Sequence, residues 1–156
     1  MLFPRLKFPS YNFKVQNASP DRQSLKIFDI VRKKYVQLTP EEWVRQHLIH
    51  FLVNERKFPL SLLSVEKKIV VNGLLKRTDV VAYGSDHKPV LLVECKAPEI
   101  EINQKVFDQA ARYNRVLNLS YYVLSNGIET ICCRIDHSTT SYHFLEEIPI
   151  YSDLKG

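Results

Sequence analysis

The order of apolar and polar positions sets out most of the elements of this chain. Residues 1–24 are polar, proline-punctuated and flecked with aromatics without a period, and read as an extended N-terminal arm over the surface. Leu25 to Val36 sets apolar runs against Arg32-Lys33-Lys34, compatible with a strand and basic turn or with a short helix. A helix starts at Thr39-Pro40-Glu41-Glu42, where Thr39 can cap, Pro40 suits the first position and the two acids complement the dipole. It runs to about Glu55, with Val44, Leu48, Phe51 and Leu52 as its apolar stripe, and Phe58-Pro59 ends it. On that phase Glu41 lies near the edge of the stripe and Glu42 points away.

Strand-like segments follow. Leu62 to Val71 leads into Asn72-Gly73, a hairpin signal. Two nearly unbroken apolar arms, Arg77 to Tyr83 and Val90 to Lys96, are joined by the polar turn Gly84-Ser85-Asp86-His87-Lys88-Pro89. Arms of this kind belong to strands covered on both faces. A polar helix start from Ala97 to Asn103 leads into Gln104 to Leu117, where Val106, Ala110, Tyr113 and Leu117 share a face. Leu119 to Leu124 and Ile128 to Ile135 form strands about Asn126-Gly127, and a short strand near Ser141 to Phe144 precedes a polar tail. The expected organisation is an arm (1–24), one domain (25–148) and a tail (149–156). A three-strand meander cannot bury both its faces alone, so the two helices are placed on opposite sides. The expected fold class is an α/β/α sandwich with a central mixed sheet.

Composition narrows this little further. The chain has 156 residues, 45% hydrophobic and 25% charged, which suits one globular domain with a sizeable core. No apolar run is long enough to cross a membrane and no signal-peptide pattern follows Met1. Cys95, Cys132 and Cys133 make neither a disulfide framework nor a zinc spacing, which points to a reducing cytoplasm. His47 and His50 are three apart on the first helix without a carboxylate partner, so zinc is not expected. The net charge of +5 favours an anionic partner such as nucleic acid.

The candidate chemistry lies in the two apolar arms. With the turn centred between Asp86 and His87, Asp79 falls directly opposite Glu94, and directly opposed Cβ atoms lie roughly 4.5–5.5 Å apart. Lys96 shares the face of Glu94 through the strand's period of two, and Cys95 faces the opposite side, into the core. Two carboxylates and an ammonium group then converge, an arrangement suited to Mg²⁺ and phosphate chemistry. The plainer alternative is a Glu94–Lys96 ion pair at a strand end with Asp79 solvated.

Asp79, fourteen residues, then Glu94-Cys95-Lys96, after a helix bearing Glu41-Glu42, resembles the PD-(D/E)XK nuclease superfamily. More narrowly, Thr39-Pro40-Glu41-Glu42-Trp43-Val44-Arg45-Gln46, Glu94-Cys95-Lys96-Ala97-Pro98, Asp108-Gln109-Ala110-Ala111-Arg112-Tyr113-Asn114 and Ser125-Asn126-Gly127 resemble the N-terminal nuclease domain of type I restriction enzyme R subunits. The resemblance spans residues 25–135 and implies a restriction-endonuclease-like fold. It implies that Asp79 and Glu94 hold Mg²⁺, with Mn²⁺ as a substitute, and that Lys96 orients or helps deprotonate the attacking water. Gln109 and Tyr113, four apart on one helical face, match a Gln-x-x-x-Tyr motif of this branch. The resemblance has Gln109 supporting the metal site and Tyr113 touching DNA or bracing the helix; Tyr113 as plain core is the alternative. It also places an acidic residue of the first helix near the metal, by phase Glu41, with Glu42 as the alternative.

Thr78 stands where many members carry proline, and the chain has no Gly-Lys-Ser/Thr phosphate loop. It is therefore not expected to be an ATP-driven translocase itself. A metal-dependent DNA endonuclease is the first expectation. A non-catalytic DNA-binding or adaptor subunit, working with a separate helicase or restriction partner, is the second, and a plain structural domain the third. A homodimer is open as well, because nucleases that cut both strands often pair two sites. Lys67, Lys68, Lys76, Arg77, Arg112 and Arg115 are candidates for a phosphate-backbone track, with a solvated charged surface as the default.

Overall fold

The computed structural model describes residues 3–21, 23–71 and 73–154, with the side chains of 69, 71, 74 and 113–117 left out of the description. The ambiguous N-terminal segment resolves as strands: β1 (Val15–Asn17), β2 (Leu25–Asp29) and β3 (Lys34–Gln37) form a small antiparallel sheet. A turn with Lys33 in the left-handed region, at φ 55°, closes the β2–β3 hairpin. The expectation for this segment was an extended arm over the surface. Instead it carries β1 and buries Leu6, and Lys7 N donates to Gly127 O at 2.8 Å.

Helix α1 (Pro40–Asn54) starts where the capping pattern places it. Thr39 accepts from Glu42 N, and Pro40 occupies the first turn. After β4 (Leu63–Val65) the chain kinks at Glu66, φ 55°, before β5 (Lys68–Val71) and β6 (Leu74–Arg77) form a separate two-stranded ribbon. The expected single strand from Leu62 to Val71 is thus two strands in two sheets. Of the expected Asn72-Gly73 turn, Asn72 lies outside the described residues, while Gly73 has φ 77° and Val71 pairs with Leu74.

The main sheet has six strands. Strands β7 (Val80–Tyr83), β8 (Pro89–Cys95), β9 (Tyr121–Ser125), β10 (Thr130–Asp136) and β11 (Ser141–Leu145) join β4 in the order β11-β10-β9-β8-β7-β4. Only the β8–β9 pair is parallel, and its crossover contains α2 (Gln104–Leu117). The helix begins at Gln104, capped by Asn103, so the polar stretch from Ala97 to Asn103 is a connection rather than a first helical turn.

Period-two alternation sorts the sheet into two cores. On one face Val80, Ala82, Leu91 and Val93 pack under Val44, Leu48, Ile49 and Leu52 of α1. On the other, Val81, Leu92, Tyr122 and Leu124 pack with Phe107 and Ala111 of α2. A helix therefore covers each side of a mixed sheet, the expected sandwich. No helix among the described residues is long and apolar enough to cross a membrane.

Candidate active site

The site forms where β6 gives way to β7. The expected uninterrupted arm from Arg77 to Tyr83 is broken at Thr78 and Asp79. Backbone bonds stitch this break to the kink between β4 and β5: Glu66 N donates to Asp79 O at 3.0 Å, and Thr78 N donates to Lys67 O at 2.9 Å. Two irregularities face each other, and Asp79 is lifted out of the ladder with its carboxylate at the end of the sheet.

The hairpin register matches the sequence expectation close to the site. Val80 faces Val93, Val81 faces Leu92 and Ala82 faces Leu91, while Asp79 stands just before the first of these pairs and Glu94 just after its partner. Near the turn the pairing slips by one, to Tyr83 against Pro89, and His87 takes φ 61° to close the loop.

Asp79 makes two directional contacts. Its Oδ2 accepts from Cys95 N at 2.7 Å, and its Oδ1 accepts from Arg45 Nη2 at 3.0 Å. Glu94 Oε1 is buried and lies 3.3 Å from Lys76 Nζ, a contact of charges rather than a well-directed hydrogen bond. Burial, and then the negative charge of Asp79, push the Glu94 carboxyl above its usual range, against the pull of Lys76 and Lys96. Lys96 follows β8 and is half-buried, its N–H donating to Ser125 O at 2.8 Å.

The acidic pair on α1 divides in a way that the helical phase did not indicate. Glu42 does not point away: it is buried and accepts from Arg32 and Arg45, with Gln46 Nε2 at 3.3 Å. The β2–β3 hairpin packs on that side of α1 and supplies Arg32, so the polar face of the helix becomes interior. Glu41 is the more exposed, with 48% of its side chain accessible. Partial burial and the charge of Asp79 raise its carboxyl above the usual range, opposed by Arg45 and Lys96. The charge of Glu41 is thus coupled to Asp79 and Lys96.

Gln109 is exposed on α2. Tyr113 and Arg115 lie among the side chains outside the description. Cys95 is buried in the α1-side core, as alternation expects. His47 Nδ1 donates to Trp43 O at 2.8 Å, and the ring sits in an aromatic cluster with Phe8, Tyr11 and Phe13. Among the proposed rim cations, Lys67 Nζ donates to Tyr83 Oη at 2.6 Å, Lys76 pairs with Glu94, and Lys68, Arg77 and Arg112 are exposed.

Two further residues enter the site without having been singled out from the sequence. Arg45 is buried among Glu41, Glu42, Glu66 and Asp79, and Glu66 faces Arg32, Arg45 and Arg77. The available signal was Arg45 at the i, i+3, i+7 spacing with Leu48 and Leu52, a cation inside an apolar stripe.

The donor set suits a hard cation. Asp79 and Glu94 offer carboxylate oxygens, and burial and then the charge of Asp79 already perturb Glu94. Magnesium commonly takes one or two carboxylates and completes its shell with water and phosphate oxygens. Among the described residues no three His, Cys, Asp or Glu side chains cluster as ligands, so the fit is to two carboxylates and not to an all-protein cage.

A mixed sheet between two helices, with an acidic kink facing a Glu-x-Lys strand end, is a restriction-endonuclease-like α/β domain. The family is narrower: residues 40–149 match the type I restriction enzyme R protein N terminus, and the chain belongs to that family. A similar solved structure is a fragment assigned as the HsdR subunit of a type I restriction enzyme from Vibrio vulnificus YJ016. It is 21% identical, with a TM-score of 0.56, over 75% of this chain and 24% of that one. The chain thus spans about a quarter of that relative's length, and the likeness is one of fold. No curated protein matches the chain.

Proposed function

We propose that this domain is a Mg²⁺-dependent deoxyribonuclease that hydrolyses phosphodiester bonds. The observation that supports the reading is that Asp79 accepts from the backbone of Cys95, the residue after Glu94, and that the charges of Asp79 and Lys96 both act on Glu94. Asp79 and Glu94 would hold the ion through carboxylate oxygens. When bound, the ion supplies Lewis-acid polarisation of a phosphate oxygen and a more acidic water. Lys96 orients or deprotonates the attacking water and offsets negative charge gathering on the phosphate. Glu41, whose carboxyl feels the charges of Asp79 and Lys96, would be a supporting acid beside the ion. Gln109 supports the site from α2 and Tyr113 contacts DNA, roles that rest on family resemblance. Lys68, Arg77 and Arg112 hold the phosphate backbone without reading sequence.

Membership of the family also suggests work alongside other restriction subunits, which would supply target recognition and a motor. A second reading, a DNA-binding or adaptor domain without turnover, is favoured by one observation. Asp79 is already engaged by Arg45 and Cys95 N, and Glu94 by Lys76, so the charges are balanced without an ion.

The deciding experiment titrates Mg²⁺ or Mn²⁺ into wild type, Asp79→Ala and Lys96→Ala on linear, circular and single-stranded DNA. Metal-dependent cutting by wild type, lost by at least 10²-fold in both variants, is the expected result. Cutting that persists in both variants would sink the assignment of the centre. Binding without cutting by all three would favour the adaptor.

A further inference from the structure

Beyond the paired carboxylates, the molecule has a cavity of about 650 Å³ lined by Gly84, Lys88, Asn118 and Tyr151, an exposed Val70–Leu75 pair on the ribbon, and a buried arginine on α1. The arginine carries an inference furthest. We infer that Arg45 is the positioning residue for Asp79, held in place by Glu42 and Glu66, and that it sets the direction in which Asp79 presents its oxygens. The inference rests on the nuclease reading above and assigns this site a component outside the Asp/Glu/Lys set.

The geometry is specific. Arg45 Nη2 reaches Asp79 Oδ1 at 3.0 Å, while Nη1 lies 3.2 Å from Glu42 Oε1 and 3.4 Å from Glu66 Oε1. A planar guanidinium presents its donors in a rigid fork, so fixing Nη1 fixes the line along which Nη2 meets Asp79. With Oδ2 held by Cys95 N, both oxygens of Asp79 are anchored and neither can rotate freely. Each anchoring oxygen keeps a second lone-pair direction, so the carboxylate can still serve an ion.

The supports of Arg45 are themselves built. Arg32 bonds Asp29 and Glu42 and lies 3.2 Å from Glu66 Oε2, tying the β2–β3 hairpin into the same group. Glu66 holds a left-handed backbone, φ 55°, which is unfavourable for a non-glycine residue. That conformation turns the chain between β4 and β5, sets Glu66 N on Asp79 O and brings its carboxylate to the arginines. Strain of this kind persists where surrounding contacts over-determine it, and it gathers at functional sites.

The test must separate positioning from folding. Arg45→Gln, Arg45→Lys and Glu66→Gln are compared with wild type by thermal melting, by Mn²⁺ titration calorimetry without DNA, and by single-turnover cleavage per folded molecule. Removing a cation beside Asp79 should leave Mn²⁺ affinity equal or tighter in Arg45→Gln. The cleavage rate should nonetheless fall about 10- to 100-fold, as for other residues that orient metal ligands, and extra metal should not restore it. Glu66→Gln, whose side chain is partly exposed and tolerant of change, should lose about 3- to 10-fold, because only one of the supports of Arg45 is removed. Arg45→Lys should recover melting temperature but not rate, since it keeps the charge and loses the fork. Rates per folded molecule within twofold of wild type in Arg45→Lys and Glu66→Gln would overturn the inference while leaving the nuclease reading intact. If wild type neither binds Mn²⁺ nor cuts, both fall together. Should Arg45→Gln fail to fold, the other two variants decide.

Discussion

At the residue scale, the site is a balance of buried charges, and Glu94 shows which way it tips. Its carboxyl is raised first by burial and then by Asp79, so the folded protein holds a proton at Glu94 more tightly than the unfolded chain does. With the folded value above the unfolded one, stability is greatest below the ordinary glutamate range. It falls as pH rises from that range through the raised value. Glu94→Gln should therefore melt at an equal or higher temperature than wild type at pH 7. The gain should be up to a few degrees, since about 1 kcal/mol moves a chain of this size by about 2–4 °C. The advantage should shrink toward zero as pH is lowered into the ordinary glutamate range. A melting series over pH checks this, and a variant less stable at pH 7 would show that the Lys76 pair outweighs desolvation. The same substitution should abolish metal-dependent cutting, the usual opposition between stability and activity at a built site.

At the scale of elements, two predictions follow from how the helices and arm are anchored. Thr39 caps α1, and replacing such a cap by alanine costs about 1 kcal/mol. Thr39→Ala should therefore lower the melting temperature by about 2–4 °C. The arm is held by Leu6, which is buried against Gly127. Gly127 has φ 85°, and a Cβ built there would stand 2.7 Å from Leu6 Cδ2. Leu6→Ala should cost about 2–3 kcal/mol, the low end for a buried leucine beside an adaptable arm. It should also expose residues before β1 to limited proteolysis, as measured by cleavage rate at 25 °C. Gly127→Ala should do the same by displacing the leucine. An arm that resists protease in both variants would mean that Trp43 Nε1, donating to Pro4 O at 3.0 Å, and the aromatic contacts of the arm hold it without Leu6.

Legibility differed between elements for reasons visible in their contacts. Helix α1 was readable because a cap, a proline and a stripe are local features. The register of β7 on β8 next to Asp79 was readable because the two arms are adjacent in the chain and apolar on both faces, which leaves few alternatives. The segment from Leu62 to Val71 was not, since its apolar run continues through Glu66 while its pairing partner changes from β7 to β6. A run of residues carries no mark of which sheet will claim it.

For the whole molecule, the net charge of +5 sets an expectation about DNA that does not depend on the chemistry. On the proposed reading, exposed Lys68, Arg77 and Arg112, with Lys96 at the site, would make about four contacts to phosphates. Binding measured by fluorescence anisotropy in metal-free buffer should then weaken on the order of 10²-fold between 50 and 200 mM salt. It should change little with DNA sequence. Salt-independent binding would point to base contacts and away from a backbone track.

Taken alone, the sequence determined the two helices, most strands, the two-sided burial of the central arms and the register in which Val80 faces Val93. Each of these rests on a period of 3.6 or 2, on a cap, or on a turn within a few residues, and such interactions are set by neighbours in the chain. The tertiary structure alone decided that Glu42 is interior, that Arg45 reaches Asp79 and that Glu66 braces it. These pairings join α1, the N-terminal hairpin and the kink before the ribbon. A charged side chain looks the same in sequence whether water or another element will cover it. Only packing the hairpin against α1 removes the water and turns those charges on one another.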